Sequence, residues 1–393
     1  MKALTSKITF WSSVAAVIVA AGLYSTFLRF TQGLGGVTNL NDAFPWGLWI
    51  GFDILCGVGL AAGGFTICAV THIFNIEKFK PLTRPAILTA FLGYVMVIVA
   101  LMYDLGRPWA IWHAIIMWNT HSVMFEVAWC VMLYTTVLFL EFSPIMLERF
   151  RMKKTLRVLR MALIPIMIAG ILLSTLHQSS LGSLYLIVPN KMHPLWWSML
   201  LPVFFFLSAV SVGFAMVIFE SYLSAKAFNH GLKLPLLSQI AGVMSVVLVV
   251  NLAAKFIDMA YTGDLPYLSV MGPETYLFYL EILIGTLIPV AILSVRKYRA
   301  SNKWLYIAAV LTVAGFVLNR MNVSVTSLEA SSSVPYFPTI YEISITLMLV
   351  VLGMWAFKFI VRNFPVFEAH EEQPKIIVDA KAFRESGWAM QNK

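Results

Sequence analysis

The residues best placed to do chemistry are carboxylates set inside apolar runs. Asp53, Glu126, Glu281 and Glu342 each lie within, or open, a long apolar stretch. A carboxylate in lipid is costly, so such groups ordinarily face a cavity or a partner. Asp53 lies about seven residues into its run, roughly 10 Å deep at 1.5 Å per residue. Glu126 lies about five residues into another run. If the helices bring these groups together, they form one polar pocket. Glu126 has no basic residue three or four positions away in its own run, which makes it a candidate proton carrier. Asp104 and Arg107 are three apart. They either pair at a helix end or belong to a working site. Lys255 and Asp258 share that spacing and read as a neutralising intrahelical pair. Glu141 and Glu220 read as solvated helix ends, with a proton inlet as the other reading.

Polar side chains gather near the same ends of these runs. Asn119-Thr120-His121-Ser122 precedes Glu126, and His177-Gln178-Ser179-Ser180 closes a later run. A quinone head group offers two carbonyl oxygens that accept hydrogen bonds and take protons on reduction. His177, Gln178 and Ser180, with His121, Glu126 and Asp53 at similar depth, supply suitable partners. Trp46, Trp49 and Trp109 either line a slot for such a ligand or belong to an interfacial aromatic belt. Haem asks for more, because axial histidines must face each other within the bilayer. His230 and His370 fall in a loop and the tail, His72 at a helix end, and His113 and His193 in loops. His121 and His177 sit at helix edges. The chain is therefore expected to carry no haem. Cys56, Cys68 and Cys130 form no C-x-x-C pair and lie in apolar runs, so no iron–sulfur cluster or other metal is expected either.

The elements that must position these groups are transmembrane helices. Of 393 residues 60% are apolar and 12% charged, which lipid rather than water must cover. Spans of about 20 residues are expected near 9–29, 46–70, 86–103, 121–141, 158–176, 198–222, 238–261, 275–295, 303–319 and 340–361. The first run is read as a retained helix, not a cleaved signal peptide. Residues 1–362 form the transmembrane domain and 363–393 a short tail. No long soluble insertion interrupts the chain, so bulky redox chemistry falls to a partner. Gly57, Gly59, Gly63 and Gly64 in the second span favour close helix packing.

Charge orients the bundle. Of the 28 Lys and Arg residues, all but Arg29, Arg107, Lys191, Lys255 and Arg320 fall on one side. The positive-inside rule puts that side, and both termini, in the cytoplasm. The net charge of +9 is thereby explained by topology, with no nucleic acid implied. The cluster from Arg149 to Arg160 reads as a topology anchor.

Two segments resemble the polysulfide-reductase membrane-subunit, or NrfD-like, family. They are Pro45-Trp46-Gly47-Leu48-Trp49-Ile50-Gly51-Phe52-Asp53 and Gly59-Leu60-Ala61-Ala62-Gly63-Gly64-Phe65. Asp104-Leu105-Gly106-Arg107, Ser122 to Glu126 and His177 to Leu184 resemble its HybB branch, the membrane subunit of the hydrogenase-2 type. The resemblance implies an all-α polytopic fold in the bacterial inner membrane. It has two four-helix bundles, helices 2–5 (about 46–176) and 6–9 (about 198–319), flanked by helices 1 and 10. It also implies a haem-free subunit that reduces menaquinone. Electrons would arrive from a periplasmic ferredoxin-like iron–sulfur subunit, fed by nickel–iron hydrogenase large and small subunits. Phe125-Glu126 and Leu280-Glu281, in helices 4 and 8, look like echoes of a four-helix repeat. In the family's best-understood members the quinone site uses an asparagine and a histidine near the start of the first bundle helix. Here that stretch holds Asn41 and Asp42 and no histidine, and His177 is expected to substitute. A molybdenum reductase or multihaem cytochrome partner is the alternative. A secondary transporter is a third reading, against which no pair of broken helices occurs in matching halves.

Overall fold

In the computed structural model, residues 10–228, 231–329, 331–332 and 334–367 are described. Lys2, Lys7, His230, His370 and nearly all of the expected tail lie outside the described residues. Among the described residues, ten apolar helices are long enough to cross a membrane. They are α1 (Phe10–Gln32), α2 (Trp49–Ile73), α3 (Glu77–Asp104), α4 (Val123–Arg149), α5 (Lys153–Ile187), α6 (Leu201–Phe228), α7 (Leu234–Thr262), α8 (Pro273–Ser294), α9 (Asn302–Glu329) and α10 (Ile340–Asn363). Among the described residues there is no strand, only an isolated bridge between Asn41 and Phe44. This is the all-α polytopic architecture expected, because lipid leaves helices as the way to satisfy backbone groups within one segment.

All ten expected spans are present, but several run further than hydropathy indicated. Helix α4 continues to Arg149 and α5 starts again at Lys153, so the expected loop 142–157 shrinks to one tight turn. At its other end α5 runs through Ser183 and a 3-10 turn to Ile187. Polar residues facing a helical interior had read as loop.

Helices α2 to α5 pack on one another, as do α6 to α9, and α1 pairs with α10 against α3. Helix α2 is the most enclosed of the ten and bridges the two groups. Gly59 lies under the Phe316 ring of α9, and Gly64 under Ala90 of α3. The expected close approach of the second span is therefore present. Helix α2 is π-helical over Trp49–Cys56 and Ala69–Ile73, and single π turns interrupt α8 at Leu283–Leu287 and α9 at Asn322–Thr326. Such turns often mark functional positions. Lipid-facing surface is apolar at helical spacing, as at Met161, Ile164, Ile168, Leu172 and Leu176 of α5. The face carrying the loops after α1, α3, α5, α7 and α9 is called the cation-poor face below.

Candidate functional site

A pocket of about 260 Å³ opens at the cation-poor face. Its walls are Ala43 to Trp46, Val188 with Asn190 and Lys191, and Leu328 with Ser331 and Ser332. Three loops must be fixed for it to exist. In the first, Asn41 Oδ1 accepts from Ala43 N (2.9 Å) and Phe44 N (3.0 Å), an Asx turn that starts the wall. Phe44 stacks on Tyr336 at 4.8 Å. The Tyr336 hydroxyl donates to Glu342 Oε1 (2.5 Å) and accepts from Leu48 N (2.8 Å). Gly47 leaves room for that phenol, since a Cβ there would collide with it. Glu342 belongs to the capping box of α10, where Glu342 N meets Thr339 Oγ1 and Glu342 Oε2 accepts from Thr339 N (2.8 Å). The other two walls are tied together where His193 N donates to Ser327 Oγ (2.9 Å) and Ser331 Oγ to Lys191 O (2.5 Å).

The pocket has an apolar body of Phe44, Pro45, Trp46, Val188 and Leu328 and a rim of Lys191, Asn190 and two serines. That is the composition of a site for a flat, neutral ligand with hydrogen-bond-accepting oxygens. Trp46 meets Tyr185 edge-on at 5.5 Å, and the Tyr185 hydroxyl is buried without a hydrogen-bond partner among the described residues. Burial and the bond to the Glu342 carboxylate push the Tyr336 hydroxyl up, so it stays a donor. Burial pushes the His193 imidazole below its usual range, with Glu274 opposing.

Of the expected site residues, Trp46 lines this pocket and Asn41 shapes its wall. Asp42 is exposed beside it. His177 is elsewhere: it is fully buried in the first bundle, with Nδ1 2.8 Å from the Tyr94 hydroxyl and Nε2 unpartnered. It lies well inside α5, not at a helix edge, and does not line the pocket as a substitute ligand. Gln178 is also buried and donates to Val58 O (3.1 Å). Ser180 donates to Glu126 Oε1 (2.5 Å). Glu126 itself is exposed in the first turn of α4, where a carboxylate also favours the helix N-terminus. His121 and Arg107 are exposed.

The expected single carboxylate pocket resolves into separate places. Asp53 accepts from Thr346 of α10 (2.7 Å) and interacts with Asp104. Asp104 lies near Arg29 and Glu342. No Asp104–Arg107 bridge forms among the described residues, because Arg107 turns outward. Arg29 instead donates to Tyr103 O (2.7 Å) and Leu105 O (2.8 Å), capping the end of α3. Trp49 is buried, its indole directed to Glu342 O (3.4 Å), and Trp109 is 72% exposed. Toward the cation-rich face, Glu141 is buried within α4 and Glu220 accepts from Thr89 Oγ1 (2.6 Å). Both lie inside helices that run on past them, so neither is a solvated end.

Sequence reasoning missed a network in the second bundle. Glu281 Oε1 accepts from Lys255 (3.1 Å) and Asn319 (2.8 Å), and Oε2 from Trp196 (2.9 Å) and Asn322 (2.9 Å). Asn319 Oδ1 accepts from Arg320 (2.6 Å), whose other nitrogen reaches Ser208 Oγ (2.8 Å). Lys255 therefore pairs across helices and not with Asp258. The signal was available in Asn319-Arg320 and Asn322, three polar residues in an apolar run. The echo of Glu126 and Glu281 does not extend to their surroundings, one exposed and one enclosed by four donors.

The family model described as "Polysulphide reductase, NrfD" matches residues 36–328. A Nitratidesulfovibrio vulgaris protein is 41% identical over 371 residues, covering 91% of this chain and 95% of that one. The "Probable Ni/Fe-hydrogenase 2 b-type cytochrome subunit" of Escherichia coli is 34% identical over 343 residues, 86% of this chain and 87% of that one. The "Menaquinone reductase, integral membrane subunit" of N. vulgaris is 29% identical over 402 residues, 93% and 94% of the two chains.

Proposed function

This chain belongs to the NrfD polysulphide reductase family, and from that premise we propose that it is the quinone-reactive membrane subunit of a hydrogen-oxidising complex. The pocket between Trp46, Lys191 and Ser331 is the observation that carries the reading. It takes the head group of menaquinone, with Trp46 against the ring and the Lys191 and Asn190 side chains as donors toward its carbonyl oxygens. The names of the E. coli hydrogenase subunit and the N. vulgaris menaquinone reductase subunit support the partner and the substrate. In this reading the cation-poor face is periplasmic, both termini are cytoplasmic, and the membrane is the bacterial inner membrane.

A ferredoxin-like iron–sulfur subunit docks on that face and delivers two electrons drawn from nickel–iron subunits. The quinone takes them with two protons and leaves as the hydroquinone. Glu220, with Thr89, and Glu141 lie toward the other face and are the groups suited to receive cytoplasmic protons. Glu126, held by Ser180, and the Asp53 and Asp104 cluster lie nearer the pocket side. No haem is required by this route, although the E. coli relative is named a b-type cytochrome subunit.

The test is hydrogen-dependent reduction of a menaquinone analogue by the purified complex, with a dithionite-reduced visible spectrum of the same sample. Activity without a haem α-band supports the proposal. A stoichiometric haem band directs attention to His177, whose Nε2 is unpartnered. An intact complex that lacks hydrogen-dependent activity, and copurifies with a molybdenum enzyme or multihaem cytochrome, replaces the hydrogenase.

A further inference from the structure

A cavity of about 90 Å³ lies inside the second bundle, apart from the head-group pocket. It starts beneath Pro194 and Trp197 in the loop before α6 and descends to Ser211 and Thr312. Ten residues along α6, from Leu201 to Ser211, correspond to about 15 Å of descent. Three buried polar atoms on its lining have no hydrogen-bond partner among the described residues: Arg320 Nε, Trp197 Nε1 and Asn251 Oδ1. Arg320 is 1% exposed, and its guanidinium lies 3.6 Å from the Phe205 ring centroid. Two donors and an acceptor left open in an apolar bundle call for a guest that can both accept and donate.

Charge and size identify that guest. Lys255 and Arg320 are matched on the lining by Asp258 and Glu281, so the guest need carry no charge. A dry cavity of about 150 Å³ holds one benzene, which makes this one too small for a bicyclic quinone head. A water needs about 10–15 Å³ of such volume, so the cavity admits roughly six to nine.

We infer that the second bundle encloses a hydrated well, open at the cation-poor face and sealed toward the other. Its waters complete the bonding of Arg320, Trp197 and Asn251 and bring the aqueous phase to the middle of the bundle. The floor is the apolar packing below Thr312, one turn beneath the point where α8 and α9 touch. Gly285 and Gly315 meet backbone to backbone there, and a side chain on either would collide with the other helix. The π turn Leu283–Leu287 lies at this crossing. Below it, Met244, Leu293, Ala308 and Ala309 form part of a continuous apolar plug. The well stands whichever redox partner the chain has.

Substituted-cysteine labelling of the intact complex tests it, since the native cysteines are all buried. Ser211→Cys and Thr312→Cys react with the silver ion, a charged thiol reagent small enough for a water-filled well, at least ten times faster than Ala309→Cys in the plug. They do so only in vesicles whose exposed Val270→Cys marker also reacts. Labelling of neither site, or labelling from the opposite side, overturns the well. Hydroxyl-radical footprinting of the unsubstituted complex gives an answer where a variant does not fold. Phe205 and Phe316 on the lining are oxidised while Phe278, as buried as Phe205 but off the lining, is spared. Equal protection of all three overturns it.

Discussion

The Tyr336 hydroxyl sits between Glu342 Oε1 at 2.5 Å and Leu48 N at 2.8 Å, and so joins the start of α10 to the start of α2. The Phe44–Trp46 wall of the pocket proposed for the quinone head group hangs from that joint through the stacked Phe44 ring.

Tyr336→Phe keeps the stack and removes both hydrogen bonds. It costs about 1–3 kcal/mol, because Leu48 N and a buried carboxylate oxygen lose their partner. The apparent KM for a menaquinone analogue rises several-fold with kcat nearly unchanged. An unchanged KM in a stably assembled complex would disconnect the joint from the pocket.

Trp46→Leu removes the aromatic wall, and Lys191→Met a rim donor. Each is expected to weaken binding of a quinone-site inhibitor about tenfold, roughly 1.4 kcal/mol. Electron transfer from the iron–sulfur partner to an artificial acceptor should be retained. Inhibitor titration of the two variants checks this, and wild-type affinity in both would remove the head group from this pocket.

Glu281→Gln strands Lys255 inside the bundle and is expected to cost about 3–5 kcal/mol. Lys255→Met together with Glu281→Gln should cost less than the sum of the single changes. Thermal unfolding in detergent across the four forms of the cycle measures the coupling, and simple additivity would dissolve the pair.

Glu220→Gln should slow quinone reduction tenfold or more in sealed membranes, where protons come from the cation-rich side. Thr89→Val should slow it less. Rates measured beside proton uptake from that side decide the matter, and wild-type uptake in Glu220→Gln would exclude this inlet.

His193 predicts a pH dependence of stability. Burial lowers its folded affinity for a proton below that of the unfolded chain. Both states are neutral above the ordinary histidine pKa, so the group has no effect there. As pH falls below that value, protonation favours the unfolded chain and stability declines until the folded pKa is passed. His193→Asn should flatten that part of the Tm-against-pH curve, and an unchanged slope would assign it to another group.

Hydropathy made all ten helices legible, and the Pro45–Asp53 and Gly59–Phe65 runs made the family legible, because both signals are local. Partners distant in sequence were not. Lys255 has Asp258 at helical spacing, yet bonds Glu281 on the next helix, 26 residues on. Glu141 and Glu220 looked like helix ends because nearby polar residues lowered the hydropathy, although both helices continue past them. His177 looked like an edge residue for the same reason. Tyr336 carried no local signal, since its role arises only when α10 meets the Phe44–Leu48 segment.

The order of synthesis gives that joint a further meaning. Ribosomes make α10 after the nine helices that precede it, whereas the wall it holds belongs to the segment leading into α2. The early membrane-inserted chain thus carries an unfinished head-group pocket, completed only when Tyr336 and Glu342 have emerged. In the proposed reading, ligand binding is coupled to completion of the tenth span, so a nascent chain stalled before it would insert without competing for quinone.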